Sequence, residues 1–147
     1  MGPLFLGTYT PRLDEKGRLF LPAKFRDDLA PGLVMTKGQE GCITVWPEAA
    51  FREVAEAMAR QAFTDRRSRT AQRLFLADAT SEVPDKQGRI TVSPALRGFA
   101  GLDRDVVVIG MTNRVEIWDA ERWAAFKAAE DPGYEQLAEE VLPSLLR

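Results

Sequence analysis

Two segments of the chain carry an aspartate, a glycine and an arginine at the same spacing. The first reads DEKGR from Asp14, and the second reads DKQGR from Asp85, 71 positions later. Asp suits the start of a turn because its carboxylate accepts local backbone N–H bonds, and Gly17 and Gly88 tolerate the positive φ that commonly closes such a turn. Folding does not require the repeated Arg. It either pairs with an acid on a neighbouring turn or is presented to an anion, and these residues alone leave both interpretations open.

The chemistry that the repeated arginine offers is bidentate recognition. A guanidinium can bind two phosphate oxygens, or O6 and N7 of guanine, in a geometry that lysine cannot reproduce. Arg18 is the first candidate, because four other bases lie near it in sequence: Arg12, Lys16, Lys24 and Arg26. Arg89 has fewer such neighbours, so one copy could bind an anion while the other serves mainly packing or oligomer contacts. We expect the Asp of each motif to hold the turn and orient the Arg, because phosphates repel a carboxylate.

The two motifs belong to an internal repeat. VWPEAAF, which starts at Val45, matches IWDAERW, which starts at Ile117, at an offset of 72 positions rather than 71. One inserted residue between Arg89 and Pro94 explains the change of offset. A repeat of this length is too long for a solenoid unit and too short for two independent domains. The sequence therefore predicts one core with approximate twofold symmetry.

Each copy is predicted to place its turn between two strands and to continue with a short helix, two further strands and a longer helix. In the first copy the strands are predicted at residues 7–13, with an interruption at Pro11, and at 18–21, 33–36 and 43–46. The helices are predicted at 22–29 and from 47. In the second copy they follow the same order, with strands at 80–83, 106–109 and 115–118. Asp119 is predicted to cap the last helix of this copy.

Two amphipathic segments lie outside this pattern. The stretch 65–78 carries Arg66, Arg67, Arg69 and Arg73, for which the solvated face of a helix is preferred over a partner contact. The segment from Tyr134 has an apolar stripe and an acidic remainder. Its helix is expected either to lie on its own domain or to pack between protomers, and the pattern alone favours neither.

Composition narrows the classes of function. The chain of 147 residues is 45% hydrophobic, its net charge is −2, and it contains one cysteine, Cys42, and no histidine. These counts exclude an intrachain disulfide, a multi-cysteine metal site and histidine-based catalysis. No P-loop, dinucleotide-binding motif or metal-ligand cluster is present. We therefore predict a non-enzyme without cofactor, metal or small-molecule substrate, located in the cytoplasm and not in a membrane.

The charge is unevenly distributed. Residues 116–147 hold eight acids and three bases, which leaves 17 bases and 14 acids in residues 1–115. A body with a basic excess therefore carries an acidic tail. This distribution permits a nucleic-acid partner despite the negative total.

The segments FLGTYTPRLDEKGRLFLPAKFR, DKQGRITVSPALR and IWDAERW resemble the MraZ family of bacterial transcriptional regulators, which contain two SpoVT/AbrB-like repeats. The resemblance spans nearly the whole chain. It implies an α/β (α+β) fold in which the tandem repeats interlock into one pseudo-twofold, double-split β-α-β, barrel-like core, with additional helices after each repeat. The corresponding segments are repeat 1 at 7–54, a helical connector at 55–78, repeat 2 at 79–123 and a C-terminal helical extension at 124–147.

The resemblance also implies a function. It indicates a nucleoid-associated, ring-like homo-oligomer that binds tandem short boxes in double-stranded DNA and represses the division and cell-wall gene cluster, including its own promoter. Carried over by position, the candidate DNA-binding residues are Lys16, Arg18, Lys86 and Arg89, to which Arg12 is added as a neighbouring base. Asp14, Gly17, Asp85 and Gly88 would form and orient the turns.

Three other functions compete with DNA binding. The first is an oligomeric protein-interaction module that does not read DNA, with a partner at the acidic tail or the Arg-rich connector. The second is an enzyme that uses the adjacent carboxylates Asp14 and Glu15 or Asp27 and Asp28, which are better explained as solvated charges. The third is RNA binding, which the lack of clustered aromatic residues makes less favourable.

Overall fold

The computed structural model describes residues 2–147, and strands alternate with helices along this part of the chain. It contains eight strands: β1 (Thr8–Tyr9), β2 (Arg18–Phe20), β3 (Leu33–Lys37), β4 (Ile43–Pro47), β5 (Thr80–Glu82), β6 (Arg89–Thr91), β7 (Val106–Gly110) and β8 (Val115–Asp119). It contains six α-helices: α1 (Ala23–Leu29), α2 (Glu48–Ala59), α3 (Arg66–Ala77), α4 (Pro94–Ala100), α5 (Ala120–Glu130) and α6 (Tyr134–Leu145). Short 3-10 helices lie at Gln39–Gly41 and Asp131–Gly133.

The strands form an antiparallel sheet of six and a separate antiparallel pair. The order in the larger sheet is β1-β7-β8-β4-β3-β5, and the pair is β2-β6. Each repeat supplies one hairpin to the centre of the larger sheet, and β4 pairs with β8 between the hairpins. Strand β1 of the first repeat pairs with β7 of the second, and β5 of the second pairs with β3 of the first. The two repeats therefore share both sheets.

The central strands are buried because their sequences are almost entirely apolar. In β7, the residues Val106, Val107 and Val108 are all at least 95% buried, and such β-branched residues fit a pleated sheet. On α1, Phe25 and Leu29 lie four positions apart and both face the core. Burying each such side chain contributes roughly 1.5–3 kcal/mol. Helices α1 and α4, which follow the two motifs and their strands, are thus held in the core.

The structure corrects the predicted register between the repeats. Helices α1 and α4 start 71 positions apart, so the offset of the motifs continues through both helices. Pro22 is the N-cap of α1, and its equivalent is Ser93, whose Oγ accepts a bond from the N–H of Leu96 at 3.2 Å. Pro94 is instead the first residue of α4. The sequence alignment paired Pro22 with Pro94 wrongly because proline is tolerated at both positions, neither of which needs an N–H donor.

The length differences lie in two loops instead. Residues 30–32 join α1 to β3, whereas residues 101–105 join α4 to β7, so the second repeat is longer there by two residues. The hairpin loop 38–42 of the first repeat corresponds to 111–114 of the second, which is shorter by one. These two changes together give the offset of 72 seen between β4 and β8. Surface loops tolerate insertions of this kind because a change in loop length leaves the paired strands intact.

The first predicted strand is shorter than expected. A strand was predicted at residues 7–13 with an interruption at Pro11. A ladder forms only at Thr8–Tyr9, before this proline, and one bridge joins Arg12 to Asp105 after it. Pro11 lacks the N–H donor that a continuous ladder requires. The remaining predicted strands and helices are confirmed within two residues at each end. The carboxylate of Asp119 accepts a bond from the N–H of Arg122, as predicted for the cap of α5.

Helices α2, α3 and α5 lie on the outside of the larger sheet. Phe51 of α2 packs edge-on against Trp46 and stacks with Phe75 of α3, with ring centroids 6.4 Å apart in the stacked pair. Trp123 and Phe126 of α5 pack around Trp118, next to the buried Cys42. Helix α6 follows α5 and exposes most of its residues. In residues 2–147 none of the helices has the length and apolar character needed to cross a membrane.

Candidate nucleic-acid interface

The first turn is organised by the carboxylate of Asp14. Its Oδ1 accepts bonds from the backbone N–H groups of Lys16 and Arg18, both at 2.9 Å. Its Oδ2 accepts a bond from Nε of Arg18 at 2.8 Å. The backbone N–H of Gly17 donates to the carbonyl of Asp14 at 3.0 Å, and Gly17 has φ +80°. A single carboxylate therefore both closes the turn and orients the arginine that follows it.

The second turn has the same geometry. Oδ1 of Asp85 accepts from the backbone N–H groups of Gln87 and Arg89, both at 2.9 Å, and Oδ2 accepts from Nε of Arg89 at 2.8 Å. Gly88 has φ +80°, as in the first turn. Within each motif, Gln87 thus takes the place of Lys16, and Lys86 takes the place of Glu15. The basic residues other than arginine are therefore not equivalent between the turns.

Both aspartates are stabilised in the charged form. The pKa of Asp14 is lowered from its usual 3.8, first by the N–H group of Arg18 and also by the guanidinium of that residue. The pKa of Asp85 is lowered in the same way by the N–H group and the guanidinium of Arg89. Hydrogen bonds to an anion favour its ionised form. Each turn therefore contains a fixed negative charge that holds an arginine.

Only Nε of each motif arginine is used by its aspartate. Within residues 2–147, the terminal amino groups of Arg18 and Arg89 make no hydrogen bonds. The side chains of these two arginines are 31% and 25% exposed. Because a guanidinium presents five N–H donors in a planar fork, the unused end keeps the donors that suit a phosphate or a guanine. The sequence left open whether each Arg pairs with an acid or is presented to an anion. The structure shows a pairing acid in the same turn, and the terminal amino groups keep donors for an anion.

The turns are brought together by strands β2 and β6. Leu19 pairs with Ile90 at the centre, Arg18 lies opposite Thr91, and Phe20 lies opposite Arg89. We call these two strands and their turns the paired-turn ribbon, which comprises residues 14–21 and 85–92. Its backbone is extended by two bonds, from Val92 N–H to Gly17 and from Leu21 N–H to Gly88. Since β2 and β6 come from different repeats, both arginines lie on a single small ribbon.

A second pair of arginines supports the turns from the opposite repeat. A Cβ atom on Gly17 would lie 2.9 Å from Cζ of Arg97, and one on Gly88 would lie 2.7 Å from Nε of Arg26. Nε of Arg26 donates to the carbonyl of Leu21 at 3.0 Å, whereas Nε of Arg97 is buried and has no partner in the described residues. Arg26 and Arg97 are equivalent at the offset of 71. Each therefore crosses from its own repeat to the turn of the other.

This crossing corrects one expectation about Arg18. Arg26 was expected to enrich the basic surroundings of Arg18, but it lies against Gly88 of the second turn, and Arg97 takes its place at the first turn. Neighbours in sequence are separated here because α1 follows a strand that pairs with the other repeat. The first turn also contains two acids and two bases, whereas the second contains one acid and two bases. Within the turns themselves, the first therefore has no excess of bases over the second.

Sequence reasoning did not find Arg97 because the wrong register paired Arg26 with Gly98. An alignment that continued the offset of 71 through the helices would have matched the two arginines. It would also have matched the core positions Phe25 and Leu29 with Leu96 and Ala100. The apolar spacing within each helix was thus the sequence signal that would have placed the gap correctly.

The remaining candidate bases lie at the edge of the ribbon. Lys16 and Lys86 are exposed in their turns. Arg12 is also exposed, and its Nε lies 3.4 Å from a carboxylate oxygen of Asp105. Arg12 borders an open groove of about 540 Å³ beside the first turn, which Arg97 and Arg104 also line. Asp14, Glu15 and Asp103 line it as well, so its charge is mixed.

The ribbon also carries an exposed aromatic residue. Phe20 is 50% exposed, and Cζ of Arg89 lies 5.8 Å from the centroid of its ring. The equivalent position in the second repeat is Thr91, which lies opposite Arg18. A cation over an aromatic ring is held by the quadrupole of that ring. Arg89 therefore has two side-chain contacts, whereas within residues 2–147 Arg18 bonds to its aspartate and has no such contact with an aromatic ring.

The described residues form no cluster of metal-binding side chains. Within residues 2–147, no group of three or more His, Cys, Asp or Glu side chains is arranged to hold one. Cys42 is buried, and burial together with the charge of Glu116 raises the pKa of its thiol to about 12. A thiol of this kind is a poor nucleophile because the thiolate is the reactive form.

The fold and the site define a class of protein: a two-repeat α/β protein that presents two aspartate-held arginines on one antiparallel ribbon. The family model of the MraZ protein, whose description also reads antitoxin-like, matches this chain twice, over residues 4–74 and 75–142. The chain belongs to the MraZ family.

Several relatives match over nearly their whole length. A protein of Micrococcus luteus is 54% identical over 142 residues, which cover 97% of this chain and 99% of the relative. A protein of Leifsonia xyli subsp. xyli is 52% identical over 142 residues, with the same coverage. A protein of Thermobifida fusca is 52% identical over 143 residues, 97% of this chain and 100% of the relative. All three are named transcriptional regulator MraZ.

Proposed function

We propose that this protein is a sequence-specific, double-stranded DNA-binding transcriptional regulator, and that the paired-turn ribbon is the surface that reads DNA. Its contacts would come from Arg18 and Arg89, with Lys16, Lys86 and Arg12 at the edge. The observation that carries this proposal is that each motif arginine is anchored through Nε alone. Its terminal amino groups are therefore preorganised and available. Asp14, Gly17, Asp85 and Gly88 form and orient the turns and do not touch DNA.

The proposal assigns the two motifs equal weight. Their hydrogen bonds agree within 0.2 Å, and both arginines are partly exposed. A guanidinium held in one orientation loses little rotamer freedom when it binds, so it can discriminate a base as well as contact a phosphate. Each bidentate contact to guanine is worth about 1–3 kcal/mol of discrimination. Two such arginines on one ribbon are suited to recognising a short DNA sequence.

We further propose the organisation in which this surface acts. Repeats 7–54 and 79–123 interlock into one double-split β-α-β, barrel-like core, and segments 55–78 and 124–147 add helices to it. The protein forms a ring-like homo-oligomer that binds tandem short boxes in promoter DNA at the nucleoid. It represses the division and cell-wall gene cluster, which includes its own promoter. The names of the relatives support regulation of transcription, and the pairing of strands between repeats supports a single core.

In a ring-like assembly, several small ribbons could bind the same DNA together, so each ribbon would not need to bind tightly by itself. Two arginines and a few lysines neutralise few phosphates, so one ribbon alone should bind weakly at physiological salt. Linking several ribbons raises the avidity by roughly 10² to 10⁴ when the spacing of the boxes matches that of the protomers. Tight binding is therefore expected only for DNA with several boxes.

The test is a salt titration of binding to DNA that carries several tandem boxes from upstream of the protein's own gene. Native protein is compared with Arg18→Ala, Arg89→Ala and Arg18→Lys, and with Arg60→Ala as a control at the exposed end of α2. Both alanine variants should lose at least tenfold in affinity, and Arg18→Lys should keep the salt dependence while losing discrimination between sequences. Arg60→Ala should bind as native protein does, and circular dichroism should show that every variant is folded.

The same experiment decides between this function and its main competitor. If native protein does not prefer its own promoter boxes over unrelated DNA, or if folded Arg18→Ala and Arg89→Ala bind as native protein does, the ribbon does not read DNA. The protein would then be an oligomeric interaction module. Titration with single-stranded RNA of the same sequence separates the nucleic acids, and equal affinity for RNA would also contradict the proposal.

A further inference from the structure

Helix α3 is basic and exposes apolar residues. It carries four arginines and no acid between its caps: Arg66, Arg67, Arg69 and Arg73. Leu74 is 60% exposed and Leu76 is 43% exposed. Two shallow grooves of about 510 and 530 Å³ run along the helix, the first beside Leu76 and the second beside Leu74, and arginines line both. The helix is attached to the domain by Phe75, which stacks on Phe51, and by Lys37, whose Nζ donates to the carbonyl of Leu74 and pairs with Asp78.

Helix α6 has the opposite character. It carries three glutamates and no base: Glu135, Glu139 and Glu140. Its exposed apolar residues follow helical spacing in one stripe: Tyr134, Leu137, Val141 and Leu145. The stripe is exposed over its length, from Leu137, which is 51% exposed, to Leu145, which is 67% exposed. Exposed apolar stripes of this length mark surfaces that another molecule covers.

The two helices do not neutralise each other within one chain. In residues 2–147, no salt bridge or side-chain hydrogen bond joins α3 to α6. Arg66, Arg67 and Arg73 form no salt bridge at all in this part of the chain. The only side-chain bond of Arg69 runs to the carbonyl of Phe63. Complementary charges and apolar surface are thus present on one molecule but remain unpaired.

We infer that α6 of one protomer packs against α3 of the next, a second copy of this chain. The apolar stripe of α6 covers Leu74, and its glutamates lie beside Arg66 and Arg67, which line the same groove of α3. Apolar contacts at the centre supply the stability, and the charged rim selects the partner and its orientation. This contact rests on the proposed ring-like assembly and names the surfaces that build it.

The geometry of such a contact favours a ring. Because α3 and α6 are different surfaces, the contact is heterologous, and each protomer offers one of each surface. Repeating the same contact leads either to a closed ring or to an open filament. It also leaves the paired-turn ribbon uncovered on every protomer, since neither helix contributes to that ribbon.

The test is a charge exchange on the full-length chain, with the mass in solution measured by light scattering. The first variant combines Arg66→Glu, Arg67→Glu and Arg73→Glu. The second combines Glu135→Arg, Glu139→Arg and Glu140→Arg. Each variant alone should fall from the mass of the native assembly toward the 16.4 kDa of one chain. Assembly should return when both sets are combined in one chain, and also when the two variants are mixed, because every contact is then complementary again.

A matched control exchanges charges on another exposed helix. Glu53→Arg with Glu56→Arg on α2 should leave the native mass unchanged. Loss of assembly in that control, native mass in either test variant, or failure of the combined variant and of the mixture to reassemble would each overturn the inference. If the arginine variant kept the native mass but lost DNA affinity, α3 would be a DNA contact and the inference would be wrong.

The DNA measurement separates this inference from the proposed function. Arg18→Ala should assemble as native protein does while losing DNA affinity, and the charge-exchange variants should keep binding to a single box. If assembly follows the charge exchange but native protein binds no promoter DNA, the function is wrong and the contact stands. If native protein binds DNA but is a monomer, the contact is wrong and DNA reading by the ribbon stands.

Discussion

The guanidinium of Arg97 lies directly against Gly17, where a Cβ atom would be 2.9 Å from Cζ of Arg97. The same hypothetical atom would be 2.9 Å from the backbone carbonyl oxygen of Val92, which directly follows strand β6 in the ribbon. Arg97 on helix α4 of the second repeat therefore packs against the first turn and limits where the backbone of that turn can lie. Residue 17 must be glycine both for its φ of +80° and for the space that this contact leaves.

Replacement of this glycine should be costly. Gly17→Ala is expected to lower the free energy of unfolding by at least about 1–2 kcal/mol, because left-handed backbone is unfavourable for alanine and the Val92 carbonyl oxygen cannot easily move. Gly88→Ala should cost less, since the nearest atoms all belong to the side chain of Arg26. Urea denaturation at one fixed protein concentration measures both.

Gly98→Ala in α4 provides the control for the glycine series. Nothing lies within 4 Å of a Cβ atom at residue 98, and the residue is helical, so this change should stabilise the protein by about 0.5–1 kcal/mol. Equal effects of Gly17→Ala and Gly98→Ala would show that the contact with Arg97 does not constrain the turn.

Arg26 and Arg97 should differ in their contribution to stability. Nε of Arg26 donates to Leu21, so Arg26→Met removes a hydrogen bond and should cost about 1 kcal/mol. Nε of Arg97 is buried without a partner, so Arg97→Met removes a group that lost its water and gained no protein acceptor. It should therefore cost about 1 kcal/mol less than Arg26→Met. The midpoints of urea denaturation compare the two, and the reverse order would contradict the prediction.

The aspartates of the turns should make stability depend on pH. Because the pKa values of Asp14 and Asp85 are lowered by folding, their stabilisation is complete above the usual value of 3.8 and is lost as the pH falls through the lowered values. The difference in stability between native protein and Asp14→Asn with Asp85→Asn should thus be largest near neutral pH and should shrink below about pH 4. Urea midpoints from pH 7 to pH 3 measure it.

Asp27→Asn is the control for this pH series. Asp27 is exposed on α1, and its carboxylate makes no hydrogen bond or salt bridge in residues 2–147. Its variant should therefore follow the native pH profile. A constant difference between native protein and the Asp14, Asp85 double variant over the whole range would contradict a role for these charges in closing the turns.

Cys42 should be inert in the folded protein. At pH 8, a thiol with a pKa of about 12 is ionised in roughly one molecule in 10⁴, and burial also blocks access to it. A chromogenic disulfide reagent should therefore release no colour from native protein and one equivalent in urea. Cys42→Ala provides the blank. Stoichiometric reaction of the native protein within minutes would contradict the burial of Cys42.

The sequence by itself determined the local elements. The pattern of Asp14, Gly17 and Arg18 and its return at Asp85 predicted two equivalent turns, and the turn geometry is indeed the same within 0.2 Å. Alternating and helical patterns of apolar residues predicted the remaining elements within two residues, apart from the interrupted first strand. These features follow from interactions over a few residues, such as a carboxylate that accepts the N–H groups just after it.

Only the tertiary structure decided which residues meet at the site. Arg26 lies six residues beyond the end of β2, yet it packs against Gly88, because β2 pairs with a strand of the other repeat and brings that turn to α1. The same pairing places Arg97 on Gly17 and Phe20 beside Arg89. Such contacts join positions about 60 to 80 residues apart, and their register depends on the burial of whole strands and helices in one core. The spacing of residues within one repeat does not show which strands pair or in which register. One alignment gap was therefore misplaced, and Arg97 was missed.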